Sequence, residues 1–270
     1  MTAAGLRLAD VRKQFRLADG TTTTAIEDFS LDIEPGEFLV VVGPSGCGKT
    51  TVLNILAGLE TASAGRVEMS GRAIAGPGAE RGVMFQDYAL FPWLTVLGNV
   101  EFGLRHGPAG AALTASARAA RVRAVIDLVG LKGAEGKYPH QLSGGMRQRV
   151  ALARLMANEP AVLLMDEPLA ALDAQTRTIL QEELLRIWGQ DGPRERRRTV
   201  VFITHAIDEA VFLADRVAVM SAHPGRLKAT IAVDLPRPRN DATRAEPRFN
   251  ELVQRIWGLI REEAYRATVT

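Results

Sequence analysis

The sequence predicts an α/β fold, with a mostly parallel β-sheet, an N-terminal antiparallel β-subdomain and an inserted helical subdomain. Three observations predict it. Short apolar runs alternate with helix-spaced segments, the pattern of a parallel sheet covered on both faces. Residues 6 to 17 and 22 to 34 alternate apolar and polar positions around Asp19-Gly20, as an antiparallel pair does. Between about Thr95 and Ala157 the texture turns helical and interrupts the alternation.

Each element follows in order. Pro35-Gly36 is a turn, and Phe38-Leu39-Val40-Val41-Val42 is a buried strand running into a glycine-rich loop. Lys49 to Leu59 has helical spacing and stops at Gly58. Strand-like segments follow at Gly65 to Met69 and Gly82 to Phe85. Ala111 to Val129 and Gly144 to Ala157 read as two helices of the insert, which spans about 87–158. Three apolar strands come next, at Ala161 to Met165, Thr199 to Ile203 and Arg216 to Met220. Helices at Ala174 to Trp188 and Ile207 to Ala214 separate them. A short tail, 236–270, opens with Pro236-Arg237-Pro238 and carries one amphipathic helix near Phe249 to Tyr265.

Composition narrows the class. The chain has 270 residues, 47% of them hydrophobic and 24% charged, with a net charge of only +2, so no broad polyanion-binding surface is expected. The basic run Arg194 to Arg198 reads as a solvated loop rather than a nucleic-acid or lipid contact. No stretch approaches the roughly twenty apolar residues that span a bilayer, and the N-terminus lacks the apolar core of a secretion signal. With Cys47 the single cysteine, no internal disulfide can form. These features point to the cytosol, with any membrane role exerted through a partner.

Chemistry enters at Gly43-Pro44-Ser45-Gly46-Cys47-Gly48-Lys49-Thr50. The segment fits the G-x-x-x-x-G-K-[ST] phosphate loop, with a strand before it and a helix after it. Glycines let successive backbone N–H groups turn inward around phosphate oxygens, and the helix N-terminus adds donors and a positive dipole end. Lys49 is expected on the β- and γ-phosphates and Thr50 on Mg²⁺. Thr51, next in the helix, completes the nucleotide-binding set. Cys47 reads as a small loop residue rather than a nucleophile. The plain alternative is a glycine turn joining strand to helix, and the surrounding context disfavours it. The expectation is a P-loop NTPase core.

Two further segments agree with that core. Val162 to Met165 is an apolar strand that ends in Asp166-Glu167, and strand C-termini in a parallel sheet face the ligand crevice. Asp166 suits Mg²⁺ held through water, and Glu167 suits polarising an attacking water. Without a phosphate loop the pair would read equally well as solvated carboxylates. Farther on, Leu142-Ser143-Gly144-Gly145-Met146-Arg147-Gln148-Arg149 opens a helix. Ser143 is a natural N-cap, and two glycines expose backbone N–H groups at the positive helix end, a second anion site. A capped helix alone would explain Ser143 but not a double glycine, which costs helix stability.

Taken in order, GPSGCGKT, Gln86, LSGGMRQR, LLMDEP, Ala171-Leu172-Asp173 and His205 resemble the ABC-type ATPase family over roughly residues 6 to 235. The resemblance implies a homodimer in which each ATP lies between one subunit's phosphate loop and the other's LSGG turn, so that Ser143 and Gly145 serve the partner's nucleotide. It implies that His205 contacts the γ-phosphate and orients the water. Gln86 would touch Mg²⁺, Phe15 would stack under adenine and Asp173 would stand at the inter-subunit contact. Ala170 and Ala206 depart from the serine and aspartate often found there, and neither removes a phosphate or metal ligand.

FPWLTVLGNV and Ser221-Ala222-His223-Pro224-Gly225-Arg226 are similar to the nitrate, sulfonate and taurine importer subgroup, and thiamine-precursor importers share parts of the pattern. Asp87 to Val96 sits where the family docks its channel. The implied partners are therefore separate transmembrane permease subunits and, indirectly, a solute-binding protein, with no nucleic acid. The implied location is peripheral, on the cytoplasmic face of the cell membrane. The alternative is a non-transport ABC-type ATPase of DNA repair or translation. Such relatives carry long coiled-coil insertions or two ATPase domains, whereas this chain has one motif set and no heptad run. A small-molecule kinase would share the phosphate loop but would not need LSGG or Ala171-Leu172-Asp173.

Overall fold

A computed structural model describes residues 4–269; residues 1–3 and residue 270, the last of the expected tail, lie outside them. Strands β1 (Leu6–Arg16) and β2 (Thr22–Ile33) pair antiparallel, with Leu6 opposite Ile33 and Phe15 opposite Thr23. With β4 (Ala64–Met69) and β5 (Arg72–Ala73) they form a four-stranded sheet in the order β2-β1-β4-β5. The second sheet contains β3 (Phe38–Val42), β6 (Arg81–Met84), β7 (Val162–Asp166), β8 (Thr199–Ile203), β9 (Arg216–Met220) and β10 (Leu227–Ala232). Its order is β10-β9-β3-β8-β7-β6, parallel throughout except for β10 at the edge. Every residue of β3, β7 and β8 is buried. Their unbroken apolar runs follow from helices covering both faces.

The helices are α1 (Lys49–Ala57), α2 (Val96–His106), α3 (Pro108–Ala111), α4 (Ala115–Leu128), α5 (Gly144–Ala157), α6 (Ala174–Trp188), α7 (Ile207–Leu213) and α8 (Pro247–Val269). They divide between the two faces of the sheet. Side chains of α1 pack with Leu39 and Val41 of β3 on one face. Those of α5, α6, α7 and α8 pack with Phe38, Val40 and Val42 on the other. Because strand side chains alternate, α1 and α5 lie on opposite sides of the sheet.

Three details differ from the sequence expectation. The helix expected over 111–129 is broken, because Thr114 caps α4 by accepting a hydrogen bond from the Ala117 N–H at 3.2 Å. An alanine-rich stretch gives no periodic mark of such a break. Strand β6 ends at Met84, so Phe85 lies outside it and is exposed. Strand β10, not expected at all, follows the turn at 221–226 and closes the sheet edge. The tail packs onto the main core, with Phe249, Leu252 and Ile256 buried among residues of α7. Among the described residues no helix is long and apolar enough to cross a membrane.

Candidate active site

The phosphate loop leaves β3 and enters α1 through Gly48, whose φ of 93° is left-handed. A Cβ there would meet Ile26 Cδ1 at 2.5 Å and the Ala25 carbonyl at 3.0 Å, so only glycine fits between the loop and β2. Gly46 is also left-handed, at 75°. The amino group of Lys49 donates to the carbonyls of Gly43 at 2.8 Å and Pro44 at 2.9 Å, drawing the loop into a ring. Ser45, Gly46 and Thr50 are exposed at its mouth, Pro44 and Thr51 are half-buried, and Cys47 is fully buried. Burial pushes the Cys47 thiol up despite the neighbouring Lys49, so the thiolate needed for nucleophilic chemistry is disfavoured.

Asp166, Glu167 and His205 stand on the adjoining strand ends. Asp166 ends β7 and is hydrogen-bonded to Thr50. Burial raises its pKa, with the Thr50 hydrogen bond opposing, the Glu167 charge adding to the rise, and Lys49 opposing. Such a carboxylate gains from a cation placed beside it. Glu167 has a φ of 45°, unusual for a residue with a side chain. Its N–H donates to the Ile203 carbonyl at 3.0 Å, which fixes this conformation against β8. Its carboxylate lies 3.3 Å from His205 Nδ1. The imidazole is 64% exposed, so the pair opens to the crevice. Gln86 is exposed two residues beyond β6, whose Met84 pairs with Met165 of β7.

Ser143, Gly145 and Asp173 are gathered elsewhere. Ser143 caps α5, its hydroxyl accepting from the Met146 N–H at 3.3 Å, and it remains exposed. Asp173 caps α6 by accepting from Thr176 N–H at 2.9 Å and Thr176 Oγ1 at 2.7 Å; these bonds hold its pKa low. A Cβ on Gly145 would come within 3.0 Å of Thr176 Cγ2. Gly145 therefore lets the two helix N-termini sit side by side. This second cradle belongs to helices on the face opposite α1. Phe15 is half-buried in β1, with the Lys13 ammonium 4.7 Å from its ring centroid. The paired strand β2 carries Ala25 and Ile26 against Gly48.

Sequence reasoning missed one support of the loop. The turn 221–226 reaches back to it: Gly225 N–H donates to the Ala25 carbonyl at 3.0 Å, and the Gly225 carbonyl accepts from Glu27 N–H at 3.0 Å. A Cβ on Gly225 would lie 2.0 Å from the Cys47 carbonyl oxygen. Gly225→Ala is expected to displace the loop, an overpacking cost of about 1–3 kcal/mol. ATP affinity should fall about tenfold or more, as read by fluorescent-nucleotide titration, and unchanged affinity would contradict the bracing.

A lysine-bearing loop on the carboxyl edge of a parallel sheet, beside a strand that ends in paired carboxylates, defines a P-loop nucleoside triphosphatase. Comparison with known proteins narrows the class. Residues 26–170 match the ABC transporter family. The chain is 47% identical to the aliphatic sulfonates import ATP-binding protein SsuB of Bacillus licheniformis, over 87% of this chain and 86% of that protein. It is 43% identical to the taurine import ATP-binding protein TauB of Jannaschia sp., over 95% of this chain and 94% of that one. It is also similar to a solved dimeric ATP-binding cassette in a post-hydrolysis state bound to ADP and Pi. That match has a TM-score of 0.72 and 31% identity, over 84% of this chain and 98% of the other. The chain belongs to the ABC transporter family, and it binds and hydrolyses ATP.

Proposed function

We propose that this chain is the ATP-hydrolysing subunit of an importer for a small anion, of the sulfonate or taurine class or nitrate, acting as a homodimer under separate permease subunits. Residues 6–235 form its ATPase domain, with about 87–158 as the helical subdomain and 236–270 as the tail. One observation carries the dimer: the two anion cradles belong to helices on opposite faces of one sheet. Each nucleotide is therefore enclosed only when a second copy brings its Ser143 and Gly145 over the first copy's phosphate loop. Closure sets a second positive helix end against the phosphates and completes charge neutralisation. Asp173, beside Gly145, lies at the same contact.

Within one copy, the backbone of residues 43–48 cradles the phosphates and Lys49 neutralises them. Phe15 offers its ring to adenine. Glu167 accepts a proton from the attacking water, and His205, 3.3 Å from Glu167, orients that water toward the γ-phosphate. Thr50 and Asp166, with Gln86 at the neighbouring strand end, fit Mg²⁺. Among the described residues no three His, Cys, Asp or Glu side chains cluster as a metal site. A hydroxyl and one buried carboxylate suit a cation that completes its shell with water and phosphate oxygens. When bound, it neutralises phosphate charge.

A groove of about 590 Å³ beside Gln86, lined by Phe85, Ala89, Phe91, Phe102, Arg154 and Asn158, supports the permease contact. Arg154 donates to the carbonyls of Tyr88 and Ala89, both at 2.6 Å, and holds the left-handed turn that shapes the groove. Docking there places the chain on the cytoplasmic membrane face, with a solute-binding protein acting on the far side. Deleting the gene is expected to abolish growth on taurine or alkanesulfonate as sulfur source while growth on sulfate continues. Unaltered growth on both sulfonates would remove them as cargo and leave nitrate.

A further inference from the structure

The tail grips the helix that follows His205 in two places. Arg239 is fully buried, and its guanidinium donates to the carbonyls of Val211, Phe212 and Ala214 at the C-terminal end of α7. A cation there complements the helix dipole. Burial lowers its pKa to about 9, still protonated at neutral pH. Five residues on, Arg244 lies over the Phe212 ring, 3.9 Å from its centroid, and donates to Gln181 Oε1 of α6.

From Gln181 the polar contacts continue inward. Its amide donates to Glu209 Oε1 of α7 at 2.9 Å, and both residues are buried. Glu209 also receives a hydrogen bond from the Thr204 hydroxyl. That hydroxyl in turn accepts from the Ala206 N–H at 3.0 Å. Residues 204 and 206 flank His205, so one buried hydroxyl pins both sides of the imidazole-bearing residue. The imidazole then meets Glu167 at 3.3 Å.

We infer that the turn Asp241–Ala245 positions His205 through a relay of hydrogen bonds running from Arg244 through Gln181, Glu209 and Thr204. This rests on the reading that Glu167 and His205 act on the attacking water. Arg244, Gln181 and Glu209 are positioning residues: they act by holding the His205 loop. A buried polar chain is rigid only while every member is satisfied. Losing Arg244 frees Gln181, then Glu209, and the imidazole loses its fixed bearing on Glu167. Displacement of a catalytic group by about 1 Å can cost up to about 100-fold in rate.

The test is a double-mutant cycle in the full-length chain. Arg244→Met keeps the apolar cover over Phe212 but removes the donor. It is expected to lower kcat roughly ten- to hundredfold with KM for ATP near the unaltered value. In a His205→Ala background the same change is expected to lower kcat no further, because both act through one group. The chain has four histidines, so His205→Ala also identifies the His205 ring resonance by NMR, and Arg244→Met should shift it. Equal losses in both backgrounds, or an unchanged kcat, would overturn the relay. An unchanged kcat in His205→Ala alone would instead overturn the reading of the site. If Arg244→Met fails to fold, Gln181→Met breaks the relay at its centre and is judged by the same cycle.

Discussion

Replacing Glu167 by glutamine is expected to lower ATP turnover by about 10²- to 10⁴-fold, the usual worth of a positioned general base, while ATP binding persists. The side chain keeps its shape, so the backbone of Glu167, held at a φ of 45° by the Ile203 carbonyl, is undisturbed. The loss is confined to the carboxylate facing His205 at 3.3 Å. With hydrolysis stopped and both cradles still competent, ATP should hold two copies together. Light scattering after gel filtration with ATP and Mg²⁺ should then report a dimer, and without nucleotide a monomer. A variant that stayed monomeric with ATP and still released phosphate would overturn both the role of Glu167 and the shared site.

Lys49→Ala is expected to act earlier, on binding itself. Lys49 is 7% exposed, and its ammonium ties together the carbonyls of Gly43 and Pro44. Its removal takes away the loop's cation and releases the two carbonyls that it holds. Charge-assisted hydrogen bonds contribute about 1.5–3 kcal/mol each, so ATP affinity should fall by roughly 10²-fold or more. Calorimetric titration with ATP measures this, and circular dichroism checks that the chain is folded. Affinity within threefold of the unaltered chain, on the order of 0.6 kcal/mol, would show that Lys49 only braces the loop.

Much of this site was legible because its parts are local. A strand, a glycine loop, a lysine and a helix start lie within one short segment, and each constrains its neighbours through backbone geometry. The same holds for Asp166-Glu167 at a strand end and for Ser143 before a double glycine. Gly145 shows where local reading stops. Its sequence context suggests exposed N–H groups, but the observed requirement for glycine includes the approach of Thr176 from another helix. The broken helix at Thr114 and the edge strand β10 were hidden for a related reason: alanine-rich and half-exposed segments carry little periodic signal.

The sequence by itself determined the class of chemistry, the alternation of strands and helices, and the paired carboxylates Asp166 and Glu167 at the end of β7. Those properties follow from spacing within a few residues, where covalent geometry ties position to direction. Only the tertiary structure decided that Gly225 packs against Cys47, that α1 and α5 occupy opposite faces, and that Arg244 reaches Gln181 of α6. Contacts between distant segments depend on how whole elements pack, and no periodicity along the chain encodes them.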